Sequence, residues 1–409
     1  MGEGRTLSLE VAAAAGAAPT EDALLSAAID LGPLGVEPAQ IEQCQVGFWM
    51  RESLPDGRTV RVPAQAESSP DSQGRIRLTW LTPRSTVAPR RINLELADRA
   101  NGEALPFPAV QILPDANDRI CVSHENRNLL GYCYSGQYPK PFFYPVNGPS
   151  GRSVTRLGHP RDFDGGHDHH RSLWIEHENV NDVCFETEHL HFFAETDSPL
   201  VGVGRIAHDR FLRQEDGPVY ARLEMALAWV SHEEEVLLSE VRSVRVFPLA
   251  GGEQLIDFEL TFEPQVEQVT FGQSTFGILA ARVAHSLESG RGGGRILNAR
   301  GALNEEGVHL QRAEWCDYAG PIRPDETNGI AILGHPDNLH APHTWHVRDD
   351  GWMCAAPFAR HAKSINSGET LSFRFRVFVH DGDEAARIAA RYAEFAQPVT
   401  VSVSEVEEG

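Results

Sequence analysis

The chain has 409 residues and a formal charge of −22, from 36 basic and 58 acidic side chains. Such a length buries a large core without disulfide or metal staples, and the acidic balance argues against nucleic acid or an anionic membrane as partner. Six scattered cysteines with no CxxC read as reduced, buried small apolar residues of a cytoplasmic protein, and no apolar run reaches the roughly eighteen residues needed to cross a bilayer.

The first forty residues, "SLEVAAAAGAAPTEDALLSAAIDLGPLGVEPAQIEQC", are alanine-rich with breakers at Gly16, Gly32 and Pro38. They predict a helical extension over 1–44 that resembles a decayed helix-turn-helix headpiece of LacI-type repressors. There is no lysine or arginine between Arg5 and Arg51, so the phosphate contacts of a DNA reader are missing and no nucleic-acid role is expected. Glu10 sits where a signal peptide would be apolar, which makes the start a poor leader.

From 45 to 110, "QVGFWMRE", "GRTVRVPAQAE", "GRIRLTWLT" and "RRINLELAD" alternate apolar and polar residues between turn signals, and predict a small β domain. Residues 111–398 continue in the same style. "VYARLEMALAWVS", "QLIDFELTFEP", "GIAILG" and "LSFRFRVFVHDG" read as strands, the last with Leu371, Phe373, Phe375 and Val377 on one face. One helix is expected, in "DEAARIAARYAEFA", with Ala385, Ile388, Ala389 and Tyr392 on its buried stripe, before a tail over 399–409. Many strands and few helices predict an all-β chain dominated by a large antiparallel β-sandwich.

Two fourteen-residue stretches stand out: "LGHPRDFDGGHDHH" at 157–170 and "LGHPDNLHAPHTWH" at 333–346. Histidine recurs at the third, eleventh and fourteenth places of each, as His159, His167 and His170, then His335, His343 and His346. With His169 and His340 they hold eight of the 18 histidines. Glycine and proline exclude helices in both. A carboxylate beside imidazoles suits a general base, so His159, Asp168, His169 and His170 are candidate catalytic residues. Arg171 and Arg348 are candidates to hold developing negative charge, and His346 to act as the opposing acid. Aromatic rings and charged forks interleaved in loops suit polyhydroxylated ligands. Trp174, Trp315, Asp317, Tyr318, His335 and Trp345 are therefore candidate binding residues, with Arg156, and with Lys140 on the rim. No cofactor is expected. A divalent metal is the rival reading, with His159, His169 and His335 as ligands, although no HExxH or CxxC is present. His208, His232 and His309 read as ordinary surface histidines.

The order "KPFFYPVNGPSGRSVTR", "HDHHRSLW", "VNDVCF", "EWCDYAG", "GIAILGHPDN", "TWHVRDDGW" and "FRFRVFVHDG" resembles the bacterial PmoA-like family, often labelled "methane oxygenase PmoA", over about 115–385. This chain departs from it at Phe185, followed by glutamate where an aromatic pair is expected. The resemblance implies a soluble supersandwich like that of galactose mutarotase, and a functional link to sugar dehydrogenases of the Gfo/Idh/MocA type. The expectation is a carbohydrate-active lyase, epimerase or hydrolase acting on a sugar, glycoside or keto-sugar. The alternatives are a non-catalytic sugar-binding or sensing protein and a metal-dependent hydrolase or oxygenase. In each case the two histidine segments line one pocket.

Overall fold

A computed structural model describes residues 6–12, 22–54, 57–67, 75–83, 89–158, 167–188 and 200–407. They divide into two compact units: residues 1–110, 216–220 and 386–409 in the first, 111–215 and 221–385 in the second.

The first unit carries a seven-stranded sheet. Its strand order is Ala23–Asp30, Arg75–Thr82, Thr59–Ala66, Val46–Ser53, Arg90–Asp98, Thr6–Val11 and Val401–Glu407. All four strands expected over 45–110 are present. The helical extension over 1–44 is not: its described part supplies two strands, and its α-helix is the five-residue Pro38–Glu42. Alanine content suggested helix, but the period is two. Ala23, Leu25, Ala27 and Ile29 are buried while Ala28 and Asp30 are exposed, and Leu9 and Val11 are buried on either side of exposed Glu10. The expected tail is also corrected, because Val401–Glu407 pairs with Thr6–Val11. Residues from 386 onward, most of the C-terminal helix Ala385–Ala396, group with this first unit and not with the sandwich. That helix buries Ile388 as expected. Its other buried positions are Ala390 and the ion-paired Arg391 and Glu394, while Ala385 and Ala389 face solvent.

The second unit is an antiparallel sandwich built on two eight-stranded sheets. One sheet runs Thr344–Arg348, Trp352–Ala356, Gly277–Arg282, Leu173–His177, Phe142–Val146, Arg127–Cys133, Arg119–His124 and Val110–Asp115. The other runs Arg205–Glu215, Ala221–Val230, Val236–Pro248, Gln254–Pro264, Leu371–Asp381, Glu326–Gly334, Trp315–Arg323 and Arg295–Asn298. Phe143 of the first packs edge-on against Phe258 of the second at 5.3 Å between ring centres, marking the layer between them. The alternation read in 371–377 is realised: Leu371, Phe373, Phe375 and Val377 are buried, and Arg376 on the opposite face pairs with Asp257 at 2.7 Å. No helix among the described residues is long and apolar enough to cross a membrane.

Candidate functional site

The first sheet sets the site by its register. Cys133, Phe142, Trp174, Ala280, Cys354 and His346 are successive cross-strand partners and form one row across six strands. Side chains alternate faces along a strand, so Glu176, Arg282 and Trp352, two residues from members of this row, share its face. Leu173, Ile175 and His177 point the other way. Tyr138, Tyr144, Leu157 and Phe276 pack, partly buried, on the apolar part of this face.

The 157–170 segment closes onto that face. Leu157 bridges to Arg171, and the Gly158 amide donates to the His170 carbonyl at 2.8 Å. Any β-carbon on Gly158 would collide with the His167 carbonyl, so the loop base requires glycine. Ser172 turns the chain into the Leu173–His177 strand at φ 63°, a costly conformation for a residue other than glycine, and its hydroxyl is tied to that of Thr155 at 2.6 Å. His170 is thereby laid parallel to Trp174, 5.3 Å between ring centres, and 4.4 Å from Trp352. His346, from the second segment, lies 4.4 Å from the same Trp352 ring. The two histidine segments do meet, both in contact with the Trp352 ring.

The carboxylate at this meeting point is Glu186. His169 Nε2 lies 3.1 Å and His170 Nε2 3.6 Å from the same Glu186 oxygen. Burial would raise the Glu186 carboxyl, but the hydrogen bond to His169 and the nearby His170 imidazole outweigh it and hold the group below the usual carboxylate range. An ionised carboxylate only accepts, so His169 donates to it from Nε2. The Glu186 segment is pinned from beneath by Lys140. Its ammonium donates to the main-chain oxygen of Glu186 and to Glu176 Oε2 at 2.5 Å. Burial pushes Glu176 up to about 8 against the pull of Lys140. Burial also pushes His170 and His346 down to about 3, so both are neutral near pH 7. His346 receives a contact from Thr275 Oγ1 at Nδ1, 3.2 Å, and a T-shaped contact from His309 at 4.7 Å. His346 Nε2 has no hydrogen-bond partner among the described residues.

Several expectations are corrected by this geometry. His159 lies outside the described residues. Asp168 is half-buried, but the carboxylate set against both His169 and His170 is Glu186. Lys140 is floor and not rim, at 2% exposure. Arg171 is at the site's edge, bidentate to Glu188 and stacked over Tyr138 at 4.8 Å. Arg348 is half-exposed and paired with Glu305 at 2.9 Å, and Arg156 is paired with Glu288 at 3.2 Å. Trp174 is wholly buried and stacks on His170, so it offers no open sugar platform. Trp345 is core, its indole donating to the Ala313 carbonyl. Trp315 is buried in its strand, Asp317 is buried against His380 at 2.9 Å, and Tyr318 donates to the Arg348 carbonyl at 2.7 Å. His335 accepts from Arg374 and from the Asp337 amide, and the ligand set His159, His169 and His335 includes His159, which lies outside the described residues. With His346 neutral, the acid assigned to it would have to be an imidazole and not an imidazolium.

The residues that sequence reasoning missed are Glu186 and Glu176; Trp352 belongs to the second cluster's aromatic residues but was not among the candidate site residues, and His309, read as a surface histidine, packs on His346. The signal for Glu186 was present as the one departure from the expected aromatic pair after Phe185. For Trp352 it was its even spacing from Cys354 along a strand.

No curated protein matches the chain. Among solved structures, a galactose 1-epimerase from Lactobacillus acidophilus NCFM is 7% identical with a TM-score of 0.35, over 65% of this chain and 95% of that one. The family described as "Family of unknown function (DUF6807)" matches residues 119–394. That span takes in the sandwich apart from its Val110–Asp115 strand, with all of its histidine centre, and the chain belongs to this family.

Proposed function

We propose that the chain is an enzyme that moves a proton on a neutral sugar, glycoside or keto-sugar, at the anomeric carbon or at a carbon next to a carbonyl. The observation that carries this reading is the arrangement around Trp352. The Glu186-held His169, with His170 beside it, and neutral His346, with its Nε2 unpartnered among the described residues, converge on that one ring. Imidazoles from two segments at one centre suit removal of a proton by one and its return by the other. A fixed carboxylate–imidazole pair sets which nitrogen carries the proton. The edge supports a polyhydroxylated ligand, because His167, Asp168, Arg171 and Tyr138 are partly exposed there and offer donors, acceptors and a ring. It disfavours an anionic ligand. The Arg171 cation at the edge is already matched by Glu188, and Glu186 adds a negative charge.

The test is incubation with a panel of glycosides and their keto forms in deuterated water, followed by NMR. The reading expects deuterium at a single sugar carbon, with conversion to an epimer, elimination product or hydrolysis product. Ligand-dependent thermal stabilisation without exchange or conversion would support a sugar-binding protein in its place.

A further inference from the structure

We infer that His167, His169 and His170 form a binding site for one divalent transition-metal ion of the zinc class. Glu186 serves in it as the carboxylate that orients His169.

Each of the three imidazoles offers a ligand nitrogen, and the three nitrogens lie within 4.8 Å of one another. Three protein ligands with one open position is the composition of a catalytic zinc site. Two further observations point to a ligand. His170 is 0% exposed, yet its Nδ1 lacks a hydrogen-bond partner among the described residues and its Nε2 comes only within 3.6 Å of Glu186, beyond hydrogen-bond reach, while His167 Nδ1 also lacks a partner there. Buried polar nitrogens left in that state are costly unless something else binds them. His169 already has the second-sphere bond of a metal ligand: Nε2 donates to Glu186, which leaves Nδ1 as the ligand nitrogen. An all-imidazole set suits zinc, cobalt, nickel or iron over magnesium or calcium, which take oxygen ligands.

The geometry also says what must move. Zinc–nitrogen bonds are about 2.0–2.1 Å, so the three nitrogens have to draw closer than they stand. His167 and His170 are stacked 4.7 Å apart at 12°, and parallel rings do not aim their lone pairs at one point. His167 is the half-buried member and turns to meet the ion. His169 and His170 are held by Glu186, Trp174 and Trp352. The inference deepens the proposed function and rests on it for the substrate. The ion's open position would take a sugar oxygen and polarise it in place of a proton-transfer role for His169 and His170, while His346 at Trp352 keeps that role.

The experiment uses tag-free full-length protein, dialysed against chelator and titrated with Zn²⁺, Co²⁺ and Mg²⁺ by calorimetry, with visible spectra for Co²⁺. The expected result is one Zn²⁺ or Co²⁺ per chain, no Mg²⁺, and a Tm that rises with Zn²⁺ concentration. Binding should be lost in His167→Ala and His170→Gln and unchanged in His335→Ala. If His170→Gln fails to fold, the half-buried His167→Ala decides. No saturable Zn²⁺ binding by the wild type, or equal binding by His167→Ala, overturns the site. Running the deuterium exchange on chelated protein separates the two claims. Exchange by a wild type that binds no Zn²⁺ removes the metal and keeps the enzyme. Stoichiometric Zn²⁺ binding without exchange on any glycoside keeps the metal and removes the sugar chemistry.

Discussion

In the 157–170 segment the glycine of Leu-Gly-His-Pro closes against the His167 carbonyl, and in the 333–346 segment it closes against the His343 ring, 2.6 Å from a hypothetical β-carbon. The glycine therefore packs against the eleventh-place histidine in both. Beyond that, the two copies of the pattern diverge. The first ends as a loop folded over a sheet face, so that His167, His169 and His170 are thrown together beside Glu186. The second runs straight into the Thr344–Arg348 strand. There His343 receives Asn338 and packs on Phe375, His335 goes to Arg374, and only His346 reaches the shared Trp352. Matching spacing thus yields a chemical cluster in one place and mostly scaffold in the other. The element that follows the segment decides which.

The largest expected effect is on the support of the first segment. Lys140→Met removes the donor that holds both Glu176 Oε2 and the Glu186 main-chain oxygen, leaving two buried acceptors unsatisfied. A loss of about 2–5 kcal/mol in unfolding free energy is expected from urea titration. A loss within experimental error would show that the Glu186 platform stands without Lys140.

Acid tests what the segments share. Burial holds His170, His343 and His346 down to about 3 and His177 to about 4, below the ordinary imidazole value of 6.5. Below pH 6.5 the unfolded chain therefore binds more protons than the native one. The stability these groups confer is complete above 6.5 and lost as pH falls through the native values, on the order of several kcal/mol in sum. Glu176 acts oppositely. Its raised value gives a contribution present below 4.5 and lost as pH rises through about 8. Four imidazoles outweigh one carboxyl, so Tm should peak near neutrality and fall most steeply on the acid side. A flat Tm between pH 7 and 4 would contradict the burial of these rings.

Gly158→Ala forces a β-carbon into backbone, whereas Gly334→Ala meets a side chain. Each should cost about 1–3 kcal/mol by thermal or urea unfolding, with only the first also disturbing the histidine cluster. The smallest effect belongs to His335→Ala, which removes contacts with Arg374 and the Asp337 amide. About 1 kcal/mol of stability is expected to go, with turnover untouched.

The strands were legible wherever apolar and polar residues alternated clearly, as in Leu371–Asp381 and Gln254–Pro264. They were hidden where alanine filled both roles. In "ALLSAAID" the exposed Ala28 and the buried Ala27 are the same residue type, so composition spoke for helix while burial followed a period of two. The site was legible in part. That loops carrying histidine and tryptophan would converge could be argued from residue type, but which tryptophan faces the histidines depends on strand parity. Trp345 and Trp352 fall on opposite faces of paired strands, and sequence chose the wrong one. Glu186 follows a two-residue strand and has no periodic neighbours to announce it. Its role exists only once residues 169 and 186 are brought together.

The central claim is that one imidazole from each segment serves a single centre. It is tested most directly by the rate of deuterium incorporation into a turned-over keto-glycoside, measured for wild type, Glu186→Gln, His346→Gln and His335→Gln. The account predicts a fall of about 10²–10⁴-fold for the first two variants and a wild-type rate for the third. Exchange that survives His346→Gln, or fails equally in His335→Gln, would contradict it.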